Sequence, residues 1–206
     1  MTHARVVTGV ATAALLLVVM TSCANDGGDP AASGSPAPSS PAPTTATRTP
    51  PSETETASEA ASALLRKYFA TVDQLRQQPK RPISELGAVA ISTQLAAQEK
   101  LIQTQRSNGL RQTGSTTIAK LTVQSVNLDN TDPRAGKVPT VQIDICYDVS
   151  GVNILDKDGK SVVSPDRPET GWVRYLVSNY KWKADPRGGW RVASGADLKQ
   201  APCAAS

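Results

Sequence analysis

Hydrophobic and polar positions divide the chain into three stretches with different patterns. Residues 6–19 form a nearly continuous apolar run rich in Ala, Leu and Val, whereas residues 24–56 are mostly Ala, Pro, Ser, Thr and Gly. From residue 57 onward, apolar residues recur periodically, first at helical spacing and then in alternation with polar residues. The pattern therefore predicts an apolar leader, a polar connecting segment and one folded domain.

Two helices are predicted at the start of the domain. The first, over residues 57–77, has Ser58 as its predicted N-cap and an apolar face that consists of Ala61, Leu64, Leu65, Tyr68, Val72 and Leu75. The second is predicted over residues 84–107 and ends at Asn108-Gly109, where glycine can adopt the left-handed conformation. Its predicted inward-facing residues are Leu86, Val89, Ala90, Ala97, Leu101 and Ile102.

Beyond Gly114 the apolar period changes from helical to strand-like. A strand over residues 119–128 shifts its phase near Gln124 and Ser125, which predicts a β-bulge. The clearest strand covers residues 140–149, where apolar residues and Tyr147 line one face and Gln142, Asp144, Cys146 and Asp148 line the other.

The remaining pattern predicts further antiparallel strands. Residues 152–155 and 161–163 flank the turn sequence Asp156-Lys157-Asp158-Gly159, which indicates a hairpin. A long strand is predicted over 172–183 and a last one over 190–192. Two helices followed by an antiparallel meander are typical of an α+β domain.

The amino-terminal apolar run has the layout of a secretory signal peptide. Arg5 precedes it and small residues follow it, and the run is too short to span about 30 Å of hydrocarbon. Met20-Thr21-Ser22-Cys23 resembles the lipobox of bacterial lipoproteins, in which the cysteine thiol receives a diacylglyceryl group and the signal is cleaved. This resemblance implies a palmitate-containing lipid anchor on Cys23, cleavage after residue 22, and a location on the extracytoplasmic face of the cell membrane.

Composition excludes several classes of function. After removal of residues 1–22 the net charge falls from +4 to about +3, and the basic residues are scattered, so nucleic acid is not a predicted partner. The single histidine, His3, lies in the predicted signal. Its loss excludes Ser-His-Asp and Cys-His catalysis and the usual zinc sites, and neither a metal nor a cofactor is predicted.

The segment from Cys23 to residue 56 is predicted to be a disordered, proline-rich tether, because it has too little apolar surface to offset the entropy of ordering. The domain is then assigned to residues 57–206. If Cys23 carries lipid, Cys146 and Cys203 remain as an even pair in an oxidising compartment. A disulfide between them is the favoured interpretation, and a reactive thiol is the alternative.

The order of elements resembles the NTF2-like (cystatin-like) superfamily, and more narrowly the lipoproteins and secreted proteins of actinobacteria. The resemblance is carried by Tyr68-Phe69, the segment at residues 109–114, residues 145–151, Asp158-Gly159 and residues 189–192. It implies helices packed on a curved antiparallel sheet that forms a cone. The superfamily includes enzymes, transport factors and secretion-system scaffolds, so the fold alone does not assign an activity.

Two arrangements of the strand at 140–149 lead to different predictions. If the Cys146 face points outward under the carboxy-terminal tail, Asp144 and Asp148 are solvated surface groups. If that face lines the cone, Asp144 becomes a candidate general base with Tyr175 or Tyr180 as a polar partner. No catalytic residue is assigned on the sequence alone.

The leading functional hypothesis is a non-enzymatic interaction or small-ligand-binding module of the cell envelope. Its predicted partners are the membrane, through the lipid on Cys23, and either an envelope protein or a small apolar ligand. The alternatives are an NTF2-like enzyme acting on a small apolar substrate and a subunit of an envelope or secretion complex.

Overall fold

The computed structural model describes residues 50–204. The predicted signal, Cys23 and most of the predicted tether therefore lie outside the described residues. Helix α1 spans Glu53–Gln77, and Ser52 caps it in a capping box. The Glu55 amide donates to Ser52 Oγ at 3.2 Å, and the Ser52 amide donates to Glu55 Oε2 at 2.7 Å.

The predicted start of α1 was wrong by one helical turn. The Ser-x-x-Glu sequence at residues 52–55 satisfies the free amides at the helix start, so residues 53–56 are helical rather than part of a disordered tether. Ser58, the predicted N-cap, lies inside the helix and its hydroxyl donates to the Thr54 carbonyl at 2.8 Å. The predicted apolar face is confirmed, since its residues are buried or packed against the core.

The second predicted helix is interrupted. A 3₁₀ helix covers Ile83–Ala88 and helix α2 covers Ser92–Ser107. The residues between them pair with a distant strand instead: the Val192 amide donates to the Val89 carbonyl, and the Ile91 amide donates to the Val192 carbonyl, both at 2.9 Å. These hydrogen bonds replace helical ones, so a single continuous helix cannot form.

The interruption also changes which face of α2 is buried. Ala97 is exposed and Leu101 is 43% exposed, contrary to the prediction, and Gln94 is buried instead, whereas Ile102 is buried as predicted. The predicted stop is confirmed, because Gly109 adopts a left-handed φ of 69°.

The strands form two antiparallel sheets. A four-stranded sheet has the order β2 (Thr117–Asn127), β3 (Thr140–Asp148), β5 (Thr170–Asn179) and β6 (Trp190–Asp197). A separate pair joins β1 (Arg111–Thr113) to β4 (Asn153–Leu155). The predicted bulge is confirmed by a register shift between Val123 and Ser125.

Several strand predictions differ from the structure: β1 was not predicted, and the last strand, predicted over 190–192, extends to Asp197 as β6. The residues around the Asp156–Gly159 turn form only a single bridge, Leu155 to Ser161, because β4 takes β1 as its main partner. Strand β5 ends at Asn179 rather than at residue 183. The Asn179 side chain accepts from the Lys181 amide and donates to the Asp185 carbonyl, both at 2.8 Å, and so turns the chain out of the sheet.

Helix α1 packs with α2 and the 3₁₀ helix against the inner face of the larger sheet, which confirms the α+β class. The residues at the centre of this core are fully buried: Leu65, Leu75, Leu86, Ile102, Ile143, Ile145, Val177 and Trp190. Within residues 50–204, no helix combines the length and apolar character that a membrane span requires.

Candidate functional site

Three aromatic rings meet between α1 and the inner face of the sheet. Tyr68 and Phe69 are consecutive residues of α1, and Tyr175 reaches them from β5. The ring centroid of Tyr175 lies 5.9 Å from that of Tyr68 and 5.8 Å from that of Phe69, both in edge-to-face geometry. Such contacts favour the observed arrangement of the rings and define one wall of the site.

The sheet register explains why Tyr175 reaches this position. Tyr175 pairs with Ile143, a core residue of β3, and residues that pair across strands share a face of the sheet. Tyr68 is fixed from the other side, because the Gln94 amide of α2 donates to its hydroxyl oxygen at 2.5 Å.

A cavity of about 310 Å³ adjoins the aromatic rings. This volume is at the low end of the range for ligand sites, about 300–1,000 Å³. The valines at positions 72, 149 and 173 contribute apolar surface to it. Its aromatic and polar lining comes from Tyr68, Phe69, Arg76, Gln98, Thr116, Tyr147 and Tyr175.

Arg76 brings a positive charge to the cavity. Its Nη2 donates to Gln98 Oε1 at 3.1 Å, and its Nε is shielded from solvent and makes no hydrogen bond within the described residues. Burial lowers the pKa of the Arg76 guanidinium, an effect opposed by nearby Tyr68, Asp73 and Tyr175. An arginine stays charged at physiological pH despite such a shift.

The two inner tyrosines stay neutral at physiological pH. Burial raises the pKa of Tyr68 to about 12, partly offset by the hydrogen bond from Gln94. Burial also raises the pKa of Tyr175, as does the proximity of Tyr68. Both hydroxyls are therefore available as hydrogen-bond donors.

A larger groove of about 630 Å³ lies elsewhere on the domain, between the start of α1 and the turn before β6. It runs along exposed positions such as Glu59, Ala63 and Lys67. Both sites have apolar and charged lining residues, but the smaller cavity lies against the inner face of the sheet beside the buried side chains of Tyr68, Val173 and Tyr175, and it is therefore taken as the candidate site.

The structure does not bring the predicted trio of Asp144, Tyr175 and Tyr180 together. Asp144 pairs with Arg174, the neighbour of Tyr175, so the Asp144 and Tyr175 side chains point to opposite faces of the sheet. Tyr180 lies in the turn after β5 and is 47% exposed. Of the three, only Tyr175 lines the cavity.

Cys146 lies on the outer face of the sheet, which is the first of the two predicted arrangements. The prediction that Asp144 and Asp148 would then be solvated surface groups is wrong. Asp144 and Asp148 are 4% and 5% exposed rather than solvated. Arg174 covers Asp144 through its ion pair, and Asp148 accepts a hydrogen bond from the Ser150 amide at 2.8 Å.

The disulfide between Cys146 and Cys203 is present, with the Cα atoms 6.3 Å apart. It secures the carboxy-terminal segment across the outer face of the sheet. Trp172 Nε1 donates to the Ala201 carbonyl at 3.1 Å, and Thr170 Oγ1 donates to the Cys203 carbonyl at 3.0 Å. The bridge therefore lies on the face of the sheet opposite to the cavity.

Sequence reasoning placed Tyr68 on the inner face of α1 but missed Arg76, Gln94 and Gln98 as site residues. A polar residue on the inner side of an amphipathic helix was the only signal available. For Gln94 and Gln98 that signal was hidden, because the helix was predicted to start before residue 92 and its phase was therefore misplaced.

In the part of the chain that the structure describes, no cluster of His, Cys, Asp or Glu is suited to a metal ion.

The fold and the cavity define an α+β protein with a partly enclosed site on the inner face of its sheet. No family model and no curated protein matches the sequence. Among solved structures, the intermembrane-space region of the chloroplast protein ARC6 is similar, with a TM-score of 0.46 and 19% identity. That match covers 68% of this chain and 95% of the ARC6 chain, and a likeness at this level does not define a family.

Proposed function

We propose that this protein is a lipid-anchored, extracytoplasmic module that binds a small, largely apolar ligand in the cavity between α1 and the sheet. The observation that carries the proposal is the cavity of about 310 Å³ against the Tyr68, Phe69 and Tyr175 rings. Aromatic and valine surfaces supply the apolar contacts, and Arg76 and Gln98 supply polar ones.

The non-enzymatic form of the proposal is supported by the contents of the cavity. Among the described residues that line it there is no carboxylate, histidine or cysteine to act as a general base or nucleophile. Tyr68 and Tyr175 are poor bases because burial keeps them protonated. These side chains are suited to holding a ligand in place.

Native mass spectrometry of the protein purified from its own secretory host tests ligand binding. We expect an additional mass that is lost on denaturation. Val149→Phe, which places a larger side chain in the cavity, should abolish that mass. Val162→Phe, at a position that is 51% exposed, is the matched control and should retain it. A bare protein mass, or a bound mass that survives Val149→Phe, would contradict the assigned site.

The anchor requires a separate experiment. We expect metabolic labelling with a clickable palmitate analogue to mark the wild-type protein and not the Cys23→Ala variant. Cys203→Ala is the control, because it removes another cysteine of the same chain and should remain labelled. Label that persists in Cys23→Ala would reject Cys23 as the lipidated residue.

A further inference from the structure

Arg76 carries the only charge among the described residues that line the cavity. No carboxylate lies within ion-pair distance of its guanidinium in residues 50–204, where the ion pairs are Arg81–Glu85 and Arg174–Asp144. A partly buried cation without an anionic partner is costly, because the protein replaces only part of the hydration that the charge loses.

The nearest acidic residue on the same helix is already engaged. Asp73 Oδ1 accepts from Gln112 Nε2 at 2.7 Å, and Asp73 Oδ2 accepts from the Thr116 amide at 2.7 Å. These contacts direct the Asp73 carboxylate towards the β1–β2 connection. Arg76 therefore has one hydrogen bond, to the neutral Gln98 amide, and Nε has none within the described chain.

A second hydrogen-bond donor, the Tyr175 hydroxyl, lies on the same cavity wall. Tyr175 is 7% exposed, and burial keeps its hydroxyl protonated. A protonated tyrosine hydroxyl and a guanidinium can both donate, and donors of this kind form their strongest hydrogen bonds to an acceptor that carries negative charge. The remaining wall consists of aromatic rings, three valines and the neutral polar residues Gln98 and Thr116.

We propose that the ligand is a small organic anion, a carboxylate on a compact apolar body, whose carboxylate is held by Arg76 and Tyr175 while the apolar body packs against the aromatic rings and the valines. This inference rests on the proposed ligand-binding function and specifies its ligand class. Arg76 is on this view a binding residue, and the charge that the protein leaves unpaired is neutralised by the ligand.

Calorimetric titration with a matched pair of probes tests the inference. Cinnamate and cinnamamide have the same shape and differ in charge, and they are titrated into the full chain carrying Cys23→Ala with its disulfide formed. We expect cinnamate to bind at least about tenfold more tightly, since hydrogen bonds to a charged acceptor exceed those to a neutral one. Arg76→Gln should bring the two affinities to within about twofold of each other.

Arg174→Gln is the matched control, because it removes an arginine from the opposite face of the sheet. It should retain the preference for cinnamate. Equal binding of both probes to the unmutated site would reject the anionic ligand while leaving ligand binding intact. Absence of binding by both probes, together with a bare mass in native spectrometry, would reject the proposed function itself.

If Arg76→Gln does not fold, the comparison of cinnamate with cinnamamide on the unmutated site still tests the inference. In that case the small molecules released from the native protein by denaturation are identified by mass. A carboxylic acid is the expected result, and a neutral compound would overturn the inference.

Discussion

The guanidinium of Arg174 holds the carboxylate of Asp144 by two hydrogen bonds across neighbouring strands, with Nε–Oδ1 at 2.7 Å and Nη2–Oδ2 at 2.8 Å. The two residues are register partners of β3 and β5 on the outer face of the sheet. This ion pair explains how a carboxylate can be 4% exposed, and it assigns to Asp144 a structural role away from the cavity.

Removing Arg174 and removing the charge of Asp144 should lower the free energy of unfolding by different amounts. Arg174→Ala leaves the buried Asp144 carboxylate without its counter-ion, so we expect a loss of about 1–3 kcal/mol in the free energy of unfolding. Asp144→Asn should cost less, because Arg174 can turn to solvent. Urea unfolding measures both, and a larger loss for Asp144→Asn would contradict this account of the pair.

The disulfide should be a major contribution to stability. Cys146 and Cys203 are separated by 57 residues, and the chain-entropy model gives about 4 kcal/mol for closing such a loop. The double variant Cys146→Ala/Cys203→Ala should therefore unfold at a clearly lower urea concentration than the oxidised protein. Thiol titration of the denatured, unreduced protein should find neither cysteine reactive, and a reactive Cys146 or Cys203 would refute the bridge.

The capping box predicts a difference between two serines six positions apart on α1. Ser52→Ala removes the side-chain acceptor for the Glu55 amide and should lower the free energy of unfolding by about 1 kcal/mol. Ser58→Ala removes only a hydroxyl that donates to a carbonyl within the helix, and it should change stability by less than about 0.5 kcal/mol. Thermal unfolding of the two variants compares them directly, and equal losses would argue against a cap at Ser52.

The buried tyrosines predict a loss of stability at alkaline pH. The pKa of Tyr68 is raised from 10.0 to about 12 in the folded protein, so the unfolded chain releases its proton first as pH rises. The contribution is fully present below pH 10 and is lost as the pH rises from about 10 to about 12. Tyr68→Phe should flatten this part of the stability profile measured by urea unfolding, whereas Tyr180→Phe, at an exposed position, should leave it unchanged.

The sequence predictions were correct mainly where a feature depends on residues close together in the chain. The apolar face of α1, the stop at Gly109 and the bulge near Gln124 depend on residues a few positions apart, so the local pattern was sufficient. The capping box at Ser52 was local as well, and it was missed because the surrounding Pro- and Thr-rich composition suggested a tether.

The candidate site was less accessible to prediction. Tyr175 was identified as a pocket residue, but its supposed partner Asp144 lies on the other face of the sheet. Which face of a strand is buried follows from alternation, whereas the residue that covers each side chain depends on the register of the neighbouring strand. The signal for Arg76, a polar residue on the inner side of α1, was weak, because an arginine on a helix is usually solvated.

By itself the sequence determined the α+β class and the positions of most helices and strands, because these follow from local periodicity, and it favoured the pairing of Cys146 with Cys203 on the condition that Cys23 carries lipid. Only the tertiary structure decided that residues 89–91 leave the helix to pair with Val192, that Arg174 shields Asp144, and that Arg76 meets Tyr68 and Tyr175 at a cavity. Each of these arrangements needs at least one contact between residues far apart in the chain, and its formation depends on packing and strand register rather than on the pattern of neighbouring residues.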